Sequence, residues 1–181
     1  RILTLMTPAM FGVSVSQINL LLDTLLASFL ATGSVSWLYY SDRLTELPLG
    51  LFGIAIATVI LPSLSRRHAE TDQTRFSQTL DWGVRAVLLI GAPATLALAV
   101  LAVPLLSTLF QHGAMTDTDV LMAAGSLRAY ALGLLFFMLI KVLAPGYFAR
   151  QDTRSPVRHG LIAMAVNMVL NLLLIMPLAH V

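Results

Sequence analysis

Trp37–Pro62 reads WLYYSDRLTELPLGLFGIAIATVILP. Between Leu38 and Ile60 it carries ten Leu, Ile, Phe and Val side chains, each of which favours insertion of a helix into a bilayer by roughly 0.3–0.6 kcal/mol. Asp42, Arg43 and Glu46 stand within two helical turns of one another in the same stretch. Each charge at mid-membrane costs roughly 2.5–3.5 kcal/mol. Discounted for lying off centre, the charges about cancel the apolar gain. Such a helix is stable where its charges pair, face other helices or line a wet cavity. That arrangement suits a protein that handles something polar inside the membrane.

The rest of the chain agrees with a membrane reading. Its 181 residues are 57% hydrophobic and 11% charged, with a mean hydropathy of +0.84, against roughly 25% charged residues in a soluble domain. The fold class expected is all-α, a polytopic transmembrane helix bundle. A net charge of +2 gives no reason to expect nucleic acid as a partner. The absence of cysteine removes disulfides, thiolate catalysis and Cys-ligated metals. The chain opens on Arg1 without a signal-peptide pattern, which reads as an internal piece of a longer protein.

Five apolar segments approach the ~20 residues that a span requires. They run over about 8–31, 35–64, 83–110, 120–148 and 160–179. The third and fifth are the plainest, since Ala86–Phe110 and Gly160–Ala179 contain no charge. Asp23 interrupts the first. A rival parse puts Asp23 in a turn and Asp42–Glu46 in an outside loop. Gly33-Ser34 is the better turn signal, however, and LLLDTLLA around Asp23 looks helical. The connections SRRHAETDQTR and ARQDTRSPVRH hold three arginines each, whereas ATGS and QHGAMTDTD hold no Lys or Arg. Short Arg-rich loops stay in the cytoplasm, so the chain enters from the inside and ends outside. Arg43 and Arg128 fall toward the outer side and break this bias. Pro48, Pro62, Pro93, Pro104, Pro145 and Pro177 lie in or at the ends of spans, either as ordinary membrane-helix composition or as bends suited to alternating access.

Two constellations could carry chemistry. In a helix Tyr39, Arg43, Glu46, Gly50, Gly53 and Ala57 share one face. Arg43 and Glu46 can pair at i,i+3, and Asp42 and Glu46 are at i,i+4. Arginine suits bidentate contact with phosphate or carboxylate. The functional reading is an Arg43 that meets an anionic headgroup, with Glu46 and Asp42 as resting partners. The structural reading is an internal ion pair beside a glycine packing notch. On the first span Gly12, Ser16, Asn19 and Asp23 form a polar stripe, and on the fifth Asn167 and Asn171 are at i,i+4. Asp23, Asn167 and Asn171 could offer oxygens to a small cation or hold a proton; alternatively they only hydrogen-bond between helices. The sequence does not establish that the first and fifth spans touch. Lys141 reads as a snorkelling lysine or a cavity residue. The histidines sit at span ends or in loops, none paired at i,i+4 with a second ligand type, so no metal site is expected. With no Ser-His-Asp pattern and no phosphate-binding glycine loop, no enzyme is expected either.

Gly33–Arg66, GSVSWLYYSDRLTELPLGLFGIAIATVILPSLSR, resembles the signature of the MurJ (MviN) family of lipid II flippases. The resemblance continues in SVSQINLLLDTLLASFLATG before it, and in LDWGVRAVLLIGAPATLAL, LFQHGAMTDTDV and KVLAPGYFARQDTRSPVR after it. It implies a fourteen-helix exporter-type fold of two lobes around a central cavity, with this piece as about the seventh to eleventh helices, the start of the second lobe. It implies a multi-pass protein of the bacterial inner membrane that moves lipid II, the undecaprenyl-diphosphate-linked disaccharide pentapeptide of peptidoglycan synthesis, without a cofactor. Arg43 matches the cavity arginine of the family's eighth helix, and Asp42 and Glu46 match its acidic neighbours. The resemblance also implies a cation site between the seventh and eleventh helices, where Asp23, Asn167 and Asn171 occupy the plausible places; Asn171 is neutral where a carboxylate would serve better. The remaining helices of the full-length protein and membrane lipids are the other partners expected. The alternatives are a drug or other glycolipid exporter of the same superfamily, and a non-transporting membrane scaffold.

Overall fold

A computed structural model describes residues 2–28 and 33–178, including, in its two terminal helices, the side chains of 10, 14, 17–28, 154–171 and 173. Gly12, Ser16 and Pro177 therefore fall outside the described side chains, and His180 outside the described residues. The helices are α1 (Ile2–Ala27), α2 (Ser34–Pro48), α3 (Ala55–Ala69), α4 (Gln73–Val100), α5 (Ala102–Phe110), α6 (Asp117–Ala149) and α7 (Arg154–Leu178), with a π-helical turn (Leu49–Ile54) between α2 and α3. No strand occurs among the described residues. Three stretches are long and apolar enough to cross a membrane: Ser34–Ala69, Gln73–Val100 and Asp117–Ala149. The chain divides into two compact units, one of α1 and α7 and one from Ser36 to Arg150.

In the larger unit α6 is the central element and packs on α3, α4, α5 and the π turn. Its buried positions include Val120, Ala123, Leu127, Ala131, Leu134, Met138 and Val142, a three- and four-residue spacing that makes one stripe. Alanines in that stripe let neighbouring backbones approach, as membrane helices require when lipid supplies no hydrophobic drive. α4 contributes glycines to the same contact. A Cβ on Gly83 would collide with Ile60 Cδ1 of α3 and lie 2.9 Å from Val142 Cγ1, and one on Gly91 would lie 2.9 Å from Leu135 Cδ1. The outer faces are apolar too: Leu89, Val100 and Leu132 are each more than 70% exposed. Surfaces of this kind fit lipid or further helices rather than water.

The helix ends follow local chemistry. Thr116 and Asp119 form a reciprocal capping box at the start of α6. Asp72 accepts the Arg75 N–H at the start of α4, and Asp152 accepts the N–H groups of Arg154 and Ser155 at the start of α7. The segment 83–110, read from the sequence as one span, is two helices. Pro104 has no N–H for the Val100 carbonyl and its ring crowds that oxygen, so α4 stops at Val100 and α5 restarts at Ala102. Asp23 lies within α1 and Asp42–Glu46 within α2, so the parse that put them in a turn and a loop is set aside.

The Gly83 contact gives a direct stability test. Gly83→Val is expected to destabilise the α3–α4–α6 packing by about 1–3 kcal/mol, the usual penalty of overpacking. It should appear as a lower thermal unfolding midpoint of the detergent-purified protein; an unchanged midpoint would mean that α4 does not press on Ile60.

Candidate functional site

α2 is held by one face. Trp37 donates its indole N–H to Asp119 Oδ1 at 2.9 Å. The buried Ser41 hydroxyl lies 2.9 Å from the Ala123 carbonyl and 2.8 Å from that of Trp37. Leu44 and Thr45 are buried one turn further on, and Tyr40 packs on Phe110 with ring centroids 4.8 Å apart. These contacts aim the opposite face outward. Tyr39, Asp42, Arg43 and Glu46 are all exposed on it.

The exposed face carries a compact charged group. Arg43 Nη1 donates to Glu46 Oε2 at 2.9 Å, with side chains 54% and 53% exposed. The Arg43 guanidinium also stands over the Tyr39 ring, 5.0 Å from its centroid. Asp42 lies one position along the helix from Arg43. An exposed pair of this type is worth only about 0–1 kcal/mol in water. Arg43 therefore loses little by exchanging Glu46 for another oxyanion, and its planar fork can grip a phosphate through two N–H groups.

The two glycines read as one packing notch differ. A Cβ on Gly53 would lie 3.8 Å from both Lys141 Cγ and Met138 Cγ, whereas Gly50 has nothing within 4 Å. The aliphatic stem of Lys141 thus lies against the π turn. Arg128, the other arginine that broke the charge bias, donates from Nε to the Ala99 carbonyl at 3.3 Å. That carbonyl is beside the Val100–Ala102 break, where helix carbonyls lose their partners.

The smaller unit holds the second constellation. α1 and α7 pack together, which the sequence left open. Asn171 Nδ2 donates to Asp23 Oδ1 at 2.7 Å. Asn167 Nδ2 lies 3.1 and 3.3 Å from the two Asp23 oxygens and 3.2 Å from Asn19 Oδ1. Asn19 Nδ2 donates to Asp23 Oδ2 at 3.1 Å. Asp23, Asn167 and Asn171 are therefore in mutual contact, and Asn19 joins them. Asn19 belongs to the polar stripe of α1 and is four residues from Asp23; that spacing was the signal that it belongs in the group. One carboxylate and three amides provide hard oxygen donors once the amides turn their carbonyls inward. As they stand, three N–H groups solvate a carboxylate.

Comparison with known proteins gives a consistent answer. The sequence model of the family described as "Lipid II flippase MurJ" matches residues 1–181. A protein of Vibrio cholerae named probable lipid II flippase MurJ is 65% identical over 171 residues, covering 94% of this chain and 33% of that protein. A Haemophilus influenzae protein of the same name is 61% identical, covering 100% of this chain and 36% of its own length. The lipid II flippase MurJ of Burkholderia cenocepacia is 43% identical over 180 residues, covering 99% and 35%. The chain spans about a third of the length of these curated relatives. The family match over residues 1–181, together with identities of 43–65% to these relatives, makes this chain a member of the MurJ family of lipid II flippases.

Proposed function

We propose that the chain is part of a lipid II flippase, a multi-pass inner-membrane transporter rather than an enzyme. In this reading it moves the lipid-linked peptidoglycan precursor across the cytoplasmic membrane by alternating access. The observation that carries the proposal is the family match over residues 1–181. Arg43 gives it a chemical focus. The substrate is anionic at its diphosphate, and Arg43 is a half-exposed guanidinium in the long helical stretch Ser34–Ala69, held by Glu46 and the Tyr39 ring. The diphosphate displaces Glu46 from Arg43 on binding, and Glu46 reclaims the guanidinium after release. Asp42 keeps the local charge near balance while Arg43 is unoccupied. The apolar outer faces of the helices are covered by the remaining helices of the full-length protein and by lipid. Rocking of two lobes about a midplane site then exposes the headgroup alternately to each side.

The energy for resetting the cycle enters through Asp23. A cation or proton at Asp23, with Asn19, Asn167 and Asn171 around it, changes the charge of the α1–α7 pair. Moving one elementary charge through 100 mV supplies roughly 2.3 kcal/mol. The two routes differ in what the amides do. A cation needs their carbonyl oxygens turned inward, whereas a proton on Asp23 turns one of the two oxygens that now accept their N–H groups into a hydroxyl donor.

Two outcomes are expected. Arg43→Ala in the full-length protein inserts normally but lowers lipid II translocation at least tenfold, the effect of losing charge-assisted hydrogen bonds of about 1.5–3 kcal/mol each. The charge-swapped pair Arg43→Glu, Glu46→Arg stays inactive; recovery by the swap would make the pair structural, as in a scaffold. Purified protein is also expected to gain thermal stability from a particular monovalent or divalent cation, and Asp23→Asn to abolish that response. A wild-type protein indifferent to every cation would remove cation coupling at Asp23.

A further inference from the structure

At the end of the larger unit where α3 gives way to α4, a cleft of about 330 Å³ is lined by Arg67, Arg75, Gln78, Thr79 and Trp82. Arg67 comes from the last turn of α3. The other four are at i, i+3, i+4 and i+7 along α4 and form one stripe of that helix. This is the Arg-rich connection that the charge bias assigns to the cytoplasm. Arg67 uses Nη1 to reach Glu70 at 3.2 Å, and Arg75 uses Nε to reach Asp72 at 3.4 Å. A guanidinium has five N–H donors, so both arginines keep donors beyond these pairs. They line the cleft from different helices, Arg67 from α3 and Arg75 from α4.

The stripe does not end at Trp82. Seven and fourteen residues further along α4 stand Leu89, 78% exposed, and Leu96, 65% exposed. Trp82 itself is 56% exposed. One face of α4 therefore passes from guanidinium at Arg75, through indole at Trp82 and the Asp81-paired Arg85 one turn on, to exposed leucine. Trp82 is about 10 Å along the axis from Arg75 at ~1.5 Å per residue. That sequence of chemistries matches the profile of a phospholipid: phosphate, then the glycerol-ester interface where tryptophan collects, then acyl chain. A free anion has no use for the indole and leucines.

We propose that this cleft is a binding site for the phosphodiester headgroup of an anionic phospholipid of the cytoplasmic leaflet. The phosphate sits between Arg67 and Arg75, Gln78 contacts the polar headgroup, and one acyl chain runs over Trp82 and Leu89. The site is separate from Arg43 and Asp23. It fixes the height of α4 in the bilayer.

Native mass spectrometry and binding titrations on the full-length protein, with phosphatidylglycerol and phosphatidylcholine as probes, test the assignment. The double variant Arg67→Gln, Arg75→Gln is expected to weaken phosphatidylglycerol binding at least tenfold and to leave phosphatidylcholine unchanged. Arg66→Gln with Arg154→Gln removes the same charge outside the cleft and is expected to change binding less than twofold. Equal losses in both double variants would mean diffuse electrostatic attraction and would overturn the site. Displacement of phosphatidylglycerol by millimolar inorganic phosphate would make it a free-anion site, against the proposal. Should the arginine variant fail to fold, Gln78→Glu and Trp82→Ala serve instead: each is expected to weaken phosphatidylglycerol binding severalfold, and unchanged binding in both would refute the assignment.

Discussion

The close approach of α3, α4 and α6 is the contact on which the larger unit depends. Lipid tails compete equally for any leucine, so burial of apolar area cannot by itself hold membrane helices together. Backbones must come near enough for many dispersion contacts, and that demands small side chains at the crossing points. A Cβ on Gly83 or Gly91 of α4 would come within 3 Å of Ile60, Val142 or Leu135, so a side chain there would push those groups aside. The alanines of the α6 stripe serve the same end. α2 is then secured to α6 by polar contacts, through Trp37 and Ser41, because its own outer face is too charged to be packed.

That division of labour decides where function can reside. α2 spends one face on packing and leaves the other for Tyr39, Asp42, Arg43 and Glu46. The α1–α7 pair follows a different plan, turning its polar residues toward each other so that Asp23 is surrounded by amide groups. An exposed guanidinium keeps its freedom to change partners. An amide-bound carboxylate is instead sensitive to anything that alters its charge. In the function proposed above, the first arrangement receives the headgroup and the second takes the coupling charge.

Much of this was readable from residue order. The helical character of the chain followed from the length of its apolar segments, and the Arg43–Glu46 pair followed from an i,i+3 spacing. Asp23, Asn167 and Asn171 were singled out by type and spacing, but their meeting was not, because nothing local says which helices touch. The break at Leu101 had a signal in Pro104 that uniform hydropathy concealed. The π turn was not read from the sequence, which marked only Pro48 directly before it. The Trp37–Asp119 bond joins residues 82 positions apart, beyond the reach of periodicity.

The wide turn at Leu49–Ile54 has a geometric consequence of its own. A π segment accommodates a residue more than an α-helix would over the same rise. Were that surplus absorbed or passed along the chain, everything ahead of it would swivel by about 100°, the angle one residue subtends in an α-helix. A swivel of that size would carry the Arg43 guanidinium from one side of its helix toward another while α3 stayed in place. The π turn, immediately after Pro48 and less than two turns from Arg43, thus sets which way that guanidinium points relative to α3, and the Trp37 and Ser41 bonds to α6 hold it there.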